Sequence, residues 1–414
     1  LGEIMSSSCS DSSAKLMPLD EALKHLVDSA VPLADDETVI LDEALGRVLA
    51  QPVAATINVP AWDNSAMDGY AVRHQDINDL DELPVVQRIP AGTNGQPLIP
   101  GTAARIFTGA PVPEGADTVI MQEMIIREGE MIRVNGDINA GSNIRRAGED
   151  IRSGDEIIGS GTRLHPQHIG LAASTGIDKL IVKRNLRVAF FTTGDELTMP
   201  GRALQDGKIY NSNRYLFKGL LEKMGCEAID LGNIADQYDA TCDALKTAAA
   251  KADLILSSGG VSVGEEDYVK KALEDMGSLD LWKIAVRPGK PLAFGNVNGV
   301  PFIGVPGNPV SLFVTFSIFV RPFILRSMGV SDVSPVEYKV AAGFDWERPD
   351  KRAEYMRARL VTNDDGQMVV NVYPSRSSGV LSSVTWADGM VVINPEQRLT
   401  KGDSVRYIPF SSLY

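Results

Sequence analysis

The pattern of apolar and polar positions changes several times along the chain. Near its start, the segment LDEALKHLVDSA repeats apolar residues at helical spacing, and Asp20 fits the N-cap position. The segment LDEALGRVLA from Leu41 also predicts a helix, as does HPQHIGLAASTG, with a proline near its start and a glycine just past its end. These helices predict a small helical or mixed domain built from two separate stretches, residues 16–55 and 152–185.

Two longer stretches have sequence patterns that are typical of β-structure. Between residues 56 and 151, glycine and proline recur around short runs such as ARIFT, TVIMQ and MIRV, which predicts an inserted β-domain of hairpins. From residue 332 to residue 414, alternating runs such as KVAAGF and QMVVNVYP predict a C-terminal β-domain of barrel-like form. Residues 1–15 are rich in serine and lack apolar periodicity, so we expect a disordered tail.

Residues 186–331 alternate between strand-like and helix-like segments. RVAFFTT, EAIDLG, DLILSS and PFIGV are short apolar runs, and NRYLFKGLLEKMG and QYDATCDALKTAAAK are amphipathic. Such alternation predicts a parallel sheet with helices on both faces. The expected fold class is therefore multidomain α/β plus β: a doubly wound α/β domain with an inserted β-domain, a small helical or mixed domain and a C-terminal β-barrel-like domain.

Composition and charge limit the partners and the cellular compartment that we expect for this protein. The 414 residues carry a formal net charge of −14, which argues against nucleic acid or an anionic membrane as the main partner but allows an anionic small substrate in a local basic pocket. The three cysteines form no CxxC pair, which fits a reducing cytosol. The most apolar stretch, SLFVTFSIFV, is too short to span a bilayer and predicts a buried helix. We therefore expect a cytoplasmic protein.

Candidate chemistry gathers after three strands of the α/β segment. FFTTGDEL, LSSGGVSVGEED and GVPGNPVS each follow a predicted strand, and the last leads directly into a helix. Because the carboxyl ends of parallel strands meet at one edge of a sheet, we expect the three loops to face a single crevice. Glycines let a backbone approach a ligand closely, and amide groups at a helix start favour anions. A phosphate is the expected ligand of Ser258, Gly259, Gly260 and Ser262.

A carboxylate beside a phosphate is repulsive unless a cation lies between them, so the acids near these loops predict a Mg²⁺ site. Its expected ligands are Glu196, Asp236 and Asp267, since Mg²⁺ prefers oxygen donors. The alternatives are structural, because glycine-rich turns are common and lone acids near a helix start often act as caps. In VRPGKP, Arg287 and Lys290 are neighbouring cations that either bind an oxyanion or stay solvated.

Seven motifs occur in an order that resembles one known family. They are DNSAMDGYAV, FTGAPVPEGADTVIMQE, NIRRAGEDI, TTGDEL, SSGGVSVGEEDY, RPGKPLAFG and GVPGNPVS, and they lie between Asp63 and Ser311. Together they resemble the molybdopterin molybdenumtransferases, which are related to the gephyrin E domain. The resemblance covers nearly the whole chain after the serine-rich start.

The resemblance implies an enzyme that converts adenylylated molybdopterin and molybdate into molybdenum cofactor and AMP with Mg²⁺. It implies a homodimer in which the α/β domain of one subunit faces the β-domains of the other, with an upstream adenylyltransferase and downstream delivery factors as partners. By motif match, the catalytic residues would be Asp68, Asp150, Glu196, Asp236 and Asp267. Joined with the loop residues above, the substrate-binding residues would be Thr108, Ser258, Gly259, Gly260, Ser262, Lys283, Arg287, Lys290, Pro306, Gly307, Asn308, Pro309, Arg357 and Ser378.

Two departures from the family pattern bear on this site. The usual Lys-Pro-Gly-Lys-Pro turn has Arg287 in place of its first lysine, which keeps the charge but replaces a point charge by a planar fork. SRSSGVLSS stands where the family has a Gly-Ser-His segment, and Ser378 is assigned from this stretch. We expect Arg287, Lys290 and Arg357 to hold the tetrahedral molybdate.

Two other functions are compatible with parts of the pattern. A molybdopterin adenylyltransferase shares the glycine-rich turn, but it would lack the segment DNSAMDGYAV. A non-catalytic dimeric scaffold of the gephyrin kind need not retain Asp68, Asp150, Glu196 and Asp267, yet all four are present. The molybdate-inserting activity is therefore the expected one.

Overall fold

The computed structural model describes residues 16–260 and 268–414. The predicted tail, residues 1–15, and the predicted site residues Ser262 and Asp267 lie outside the described residues. The chain divides into two compact units, which we call the N-terminal β unit and the α/β unit. The N-terminal β unit comprises Thr38–Leu45 and Leu49–Val182, and the α/β unit comprises the described part of Leu1–Glu37, Gly46–Val48 and Lys183–Tyr414. The finer domain boundaries stay predictions.

The N-terminal β unit is built around a six-stranded sheet. Its strands are, in spatial order, Thr118–Met121, Gly69–Val72, Ala103–Ile106, Leu83–Ile89, Met131–Val134 and Ile125–Glu128. Two-stranded sheets pair Asn64–Ser65 with Ile144–Arg145, Val53–Ala54 with Glu156–Ile158, and Asp36–Ile40 with Lys179–Lys183. The α-helices are His74–Asp79 and Pro166–Ser174, and short 3₁₀ turns cover Leu41–Glu43 and Gln122–Met124.

The helix that the apolar spacing predicts from Leu41 is wrong beyond its first turn. The segment forms only the 3₁₀ turn Leu41–Glu43, and Gly46 then takes a φ of +79°, which leaves the helical path. Ala44 and Leu49 are nevertheless buried in one cluster with Leu164 and Ala172, whereas Leu45 is exposed. The spacing therefore predicts the burial of most of these positions but not the secondary structure.

The α/β unit contains the doubly wound sheet that the alternating pattern predicts. Its strands are, in spatial order, Glu227–Ile234, Arg187–Thr193, Leu254–Ser258, Val300–Val305, Pro291–Val297 and Gly277–Lys283. The first four run parallel. The last two are additions that the alternation does not predict, and each is antiparallel to its inner neighbour, so that only Pro291–Val297 runs opposite to the other five. Its helices are Leu19–Ser29, Asn213–Lys223, Tyr238–Lys251, Tyr268–Met276 and Pro309–Ser327, and Leu197–Thr198 pairs with Ile209–Tyr210 beside the sheet.

Both faces of this sheet are buried, which explains why its central strands are apolar without alternation. In Arg187–Thr193, successive side chains point to opposite faces. Phe190 packs with Phe217 on one face, and Phe191 packs with Leu245 on the other. The run RVAFFTT is therefore a strand with a separate core on each side.

The helix Pro309–Ser327 contains the most apolar stretch of the chain. It is long and apolar enough to cross a membrane by length and composition, but 89% of its most apolar window is buried inside the protein. A π-helical turn, Phe316–Val320, connects its two α-helical parts. Burial of this kind is typical of a core helix, as the sequence predicts for this segment.

The C-terminal part of the α/β unit is a second six-stranded sheet. Its strands are, in order, Val286–Arg287, Ala353–Thr362, Met368–Val372, Tyr338–Ala342, Ser404–Pro409 and Gly389–Ile393. Ala353–Thr362 also pairs with Gly389–Ile393, which closes the sheet into the expected barrel-like form. The helix Ser382–Trp386 and the 3₁₀ turn Phe410–Ser412 complete it. The short strand Val286–Arg287 therefore joins the VRPGKP turn to this sheet.

Acid stability is expected to depend on Asp253, which precedes the central strand Leu254–Ser258. Burial raises the pKa of its carboxyl group, but hydrogen bonds from Arg184 (2.7 and 2.8 Å) and Arg187 outweigh this effect and leave the pKa well below its ordinary value. Its stabilising effect is thus complete above the unfolded pKa of about 4 and is lost as pH falls toward the folded pKa. We expect Asp253→Asn to cost about 2–3 kcal/mol at pH 7.

Urea unfolding of the wild type and of Asp253→Asn between pH 7 and pH 2 measures this effect. The difference in unfolding free energy should narrow steadily below about pH 4. Asp243→Asn is the matched control, because the ion pair of Asp243 with Lys246 is exposed. A difference that is as large at pH 2 as at pH 7 would contradict the assigned pairing.

Candidate functional site

The three strands that precede the predicted loops end together at the carboxyl edge of the doubly wound sheet. Thr192 is paired with Ser258, and Ser258 is paired with Val305, so the three parallel strands end at the same level. The Gly259 amide donates a hydrogen bond to the Val305 carbonyl (3.2 Å). The described starts of the loops after these strands are therefore neighbours because of the strand register.

Asn213 joins two of the loops and is absent from the sequence-based site. Its Nδ2 donates hydrogen bonds to Ser258 Oγ (2.8 Å) and to the Gly307 carbonyl (2.6 Å), and the residue is 9% exposed. It begins the helix Asn213–Lys223, whose sequence reads IYNSNRY at this point. A polar residue at a helix start is usually a cap, so the pattern alone does not single it out.

Gly259 occupies a position at which a side chain does not fit. Its φ is +92°, and a Cβ atom would lie 2.8 Å from Thr193 Oγ1 and 2.9 Å from the Thr193 carbonyl oxygen. At Gly260, which has a φ of +67°, a Cβ atom would collide with Val269. Gly259 is therefore required by the close approach of Thr193, and Gly260 by the close approach of the helix Tyr268–Met276, independently of any ligand.

Two of the three predicted metal ligands lie on adjacent strand ends. Glu196 follows Arg187–Thr193 and Asp236 follows Glu227–Ile234, and Thr193 is paired with Ile234. Both carboxylates are exposed. Within residues 16–260 and 268–414, no group of three or more His, Cys, Asp or Glu side chains is close enough to hold a metal ion. Asp267 lies outside these residues, so the predicted set stays a prediction.

The start of the long helix contacts the barrel loop that contains Ser378. The Val310 amide donates a hydrogen bond to the Ser378 carbonyl (3.0 Å). Pro306 is buried, Pro309 is half-buried, and Gly307 and Asn308 are exposed at the helix start. The structure therefore brings Ser378 to the loop after the third strand.

Arg357 is completely buried beside the same barrel loop. Its Nε donates to Ser383 Oγ (3.0 Å), and its Nη2 donates to the Ser375 carbonyl (2.7 Å). Its Nη1 has no hydrogen-bond partner among the described residues. Burial lowers the pKa of this guanidinium. The side chain is a buried cation with an unused donor, and its predicted role as a substrate ligand stays a prediction.

The VRPGKP turn contains two cations in different surroundings. Arg287 Nη1 lies 3.1 Å from Asp350 Oδ2, and Arg287 Nε lies 3.9 Å from Glu354 Oε2. Arg287 is therefore paired with carboxylates, a third possibility beside the oxyanion-bound and solvated alternatives that the sequence leaves open. Lys290 is exposed, and its ammonium group makes no hydrogen bond or ion pair with residues 16–260 or 268–414. Lys283, half-buried, lies across the hairpin from Pro291.

The N-terminal β unit contains the remaining predicted residues. Asp68 Oδ1 accepts hydrogen bonds from the Thr108 amide (2.8 Å) and hydroxyl (2.9 Å). The bond from the amide, followed by that from the hydroxyl, lowers the pKa of this exposed carboxyl group. Asp150 is exposed, and its amide donates to the Val59 carbonyl (3.1 Å). Asp68 is thus fixed and ionised, whereas Asp150 is anchored through its backbone.

Three family models match successive parts of the chain. The MoeA N-terminal region (domain I and II) matches residues 17–176, a probable molybdopterin binding domain matches residues 189–326, and the MoeA C-terminal region (domain IV) matches residues 339–410. The order of these matches is the order of the β unit, the doubly wound sheet and the barrel-like sheet.

Curated relatives and a solved structure are similar over nearly the whole chain. A molybdopterin molybdenumtransferase from Haemophilus influenzae is 38% identical over 402 residues, covering 96% of this chain and 100% of the relative. One from Nostoc sp. is 36% identical, covering 91% and 90%. The crystal structure of the molybdopterin biosynthesis moeA protein from Pyrococcus horikoshii OT3 matches with a TM-score of 0.83 at 30% identity, covering 96% of this chain and 100% of that chain. The chain therefore belongs to the molybdopterin molybdenumtransferase family and is an enzyme of molybdenum cofactor biosynthesis.

Proposed function

We propose that this enzyme inserts molybdate into adenylylated molybdopterin and releases AMP. The proposal rests on the three strand ends that lie together at one edge of the sheet and on the contact of the helix start after the third strand with the Ser378 loop of the barrel. Lys290 and Arg357 add two cations with donors that no described residue uses. The substrate is a polyanion and molybdate is an oxyanion, so both need backbone amides and cations with unused donors. Lys290 supplies an exposed cation at this end of the α/β unit, and Arg357 supplies a buried one whose Nη1 has no partner among the described residues.

Each part of the site then has a role. The backbone of Ser258, Gly259 and Gly260, with that of Gly307 and Asn308, holds the phosphate groups of the adenylate. Lys290 and Arg357 bind the tetrahedral molybdate through charge-assisted hydrogen bonds. The phosphoanhydride bond breaks as an oxygen atom of water or of molybdate takes the place of AMP at the phosphorus, and AMP leaves. Molybdenum bonds to the two dithiolene sulfurs, and the displaced molybdate oxygen atoms leave with the thiol protons as water. No protein nucleophile is needed, because the loops position and neutralise the reacting groups.

The carboxylates at the strand ends suit Mg²⁺ as the cation of this reaction. Glu196 and Asp236 present exposed oxygen donors on paired strands, and Asp267 would complete the set. When bound, Mg²⁺ would neutralise charge on the leaving phosphate. Asp68, fixed by Thr108, would orient polar groups of the substrate from the β unit.

Purified protein with adenylylated molybdopterin and Mg²⁺ tests the proposal directly. AMP, measured by chromatography, should appear only after molybdate is added, since molybdate is a substrate. Sulfate at the same concentration is the control for a general oxyanion or ionic-strength effect. AMP release that is equally fast without molybdate would contradict the proposed reaction, and the synthesis of the adenylate from ATP would favour an adenylyltransferase.

We also propose that the enzyme is a cytoplasmic homodimer with sites shared between subunits. An upstream adenylyltransferase would supply its substrate, and delivery factors for molybdoenzymes would take the product. The support is that acidic residues of the site are split between the N-terminal β unit, with Asp68 and Asp150, and the α/β unit, with Glu196 and Asp236.

Mixing two inactive variants tests the shared site. Asp68→Ala removes an acid of the β unit, and Glu196→Ala removes an acid of the α/β unit. After subunit exchange, half of the dimers are mixed and each has one intact site, so activity should recover to about a quarter of the wild-type value. Exchange is verified with differently tagged subunits, and each variant alone is the control. No recovery in verified mixed dimers would place both acids in the same subunit's site.

A further inference from the structure

Two carboxylates hold the segments that flank the proposed oxyanion site. Asp350 Oδ2 lies 3.1 Å from Arg287 Nη1 and 2.9 Å from Arg352 Nη2. A hydrogen bond from the Arg352 side chain is the main cause of a low pKa of Asp350, so this carboxyl group is ionised. Arg287 belongs to the turn that contains Lys290. Asp350 therefore fixes one end of this turn.

Glu354 makes the second connection. It is 1% exposed and accepts hydrogen bonds from Arg376 Nε (3.0 Å) and Arg376 Nη2 (2.6 Å), a bidentate pair. Its Oε2 also lies 3.9 Å from Arg287 Nε, and Arg287 is its direct partner in the strand pairing. Arg376 lies inside the loop Ser375–Ser378. One buried carboxylate thus contacts both the VRPGKP turn and the barrel loop.

The two segments also flank the unused donors of the site. Lys290 is three residues after Arg287, and the Ile284 amide donates to the Lys290 carbonyl (2.8 Å), which closes the turn. Arg357 Nη2 donates to the Ser375 carbonyl, which precedes Arg376. A shift of either segment would change the separation between the Lys290 ammonium group and the Arg357 guanidinium.

We propose that Asp350 and Glu354 are positioning residues that align the VRPGKP turn with the Ser375–Ser378 loop, and that Arg287 acts as their partner and not as a ligand of the oxyanion. This inference rests on the proposed function of the site. An arginine suits the role better than the lysine usual in the family, because its fork offers Nη1 to Asp350 and Nε to Glu354 at once.

The direction in which Asp350→Asn changes the KM for molybdate shows whether Arg287 has a positioning role or a ligand role. If Asp350 positions the turn through Arg287, Asp350→Asn misplaces Lys290 and raises the KM for molybdate. If Arg287 is itself an oxyanion ligand, the same substitution frees its guanidinium and leaves the KM unchanged or lowers it. Asparagine keeps the size and the hydrogen-bond acceptor of the side chain, so packing is preserved.

The experiment measures the KM for molybdate in AMP release for Asp350→Asn, Arg287→Met, the double variant and Lys290→Ala. We expect each of the first two to raise the KM about tenfold, and the double variant to be no worse than either single variant. Lys290→Ala should raise it about 10- to 100-fold, since it removes a direct charge-assisted contact. Arg287→Lys should recover part of the loss of Arg287→Met. Lys351→Met is the matched control, an exposed cation adjacent to Asp350 that should leave the KM unchanged.

Hydrogen–deuterium exchange of the same variants gives a readout that does not depend on turnover. Peptides covering residues 284–292 and 374–381 should exchange faster in Asp350→Asn and in Glu354→Gln than in the wild type. An unchanged or lower KM in Asp350→Asn, or additive effects in the double variant, would overturn the inference, as would unchanged exchange in both peptides. If the wild type releases no AMP with molybdate, the proposed function fails, and the exchange data still decide the positioning role.

Discussion

Gly259→Ala is expected to lower the rate of AMP release about 100-fold, the scale of an ångström-sized displacement of reacting groups. The added Cβ atom would lie 2.8 Å from Thr193 Oγ1 and 2.9 Å from the Thr193 carbonyl oxygen, so the first two loops must separate. The backbone there also has a φ of +92°, which an alanine adopts only with strain. The measurement is steady-state turnover at saturating molybdate and adenylylated molybdopterin.

Gly299→Ala is the matched control for this variant. Gly299 has a φ of +87° in a hairpin at the opposite edge of the same sheet, and no atom of the described residues lies within 4 Å of the position that a Cβ atom would take. The substitution therefore introduces the same kind of backbone strain without moving the loops, and turnover should be nearly unchanged. Equal losses of turnover in the two variants would show that general destabilisation, and not loop separation, is responsible.

Arg357→Met is expected to lower molybdate affinity about 10- to 100-fold while changing the free energy of unfolding by less than about 1 kcal/mol. The guanidinium is completely buried. Among the described residues, no carboxylate accepts a hydrogen bond from it, and its Nη1 has no partner. An apolar side chain of similar length removes the cost of a buried charge, which offsets the lost bonds to Ser383 and Ser375. Isothermal titration with molybdate and urea unfolding measure the two quantities.

Arg359→Met is the control, because Arg359 is an exposed arginine on the same strand, Ala353–Thr362. At the same molybdate concentration, the thermal midpoint should rise clearly less in Arg357→Met than in the wild type and Arg359→Met, since stabilisation by a ligand falls as its affinity falls. If Arg357→Met binds molybdate as the wild type does, the buried guanidinium has a structural role alone. The oxyanion site then depends on Lys290.

Much of the doubly wound sheet could be predicted from the sequence. RVAFFTT and DLILSS are apolar without alternation because both faces of these strands are buried, and this pattern depends only on local composition. The meeting of the three loops also follows from the sequence, because parallel strands place their carboxyl ends at one edge. The segment around Gly46 shows the limit of prediction from apolar spacing. Helical spacing indicates burial there, but one residue with a positive φ prevents a helix.

Long-range pairing was decided only by the tertiary structure. Arg287 is paired with Asp350 and Glu354, which lie more than sixty residues away in the sequence. The pairing of the strand Val286–Arg287 with the strand Ala353–Thr362 brings them into contact. In the same way, Asn213 is an ordinary helix-start residue until the strand register places Ser258 and Gly307 beside it. Local spacing determines which residues are buried and where loops begin. Partners of a charge are set by the register between distant segments, for which no local pattern exists.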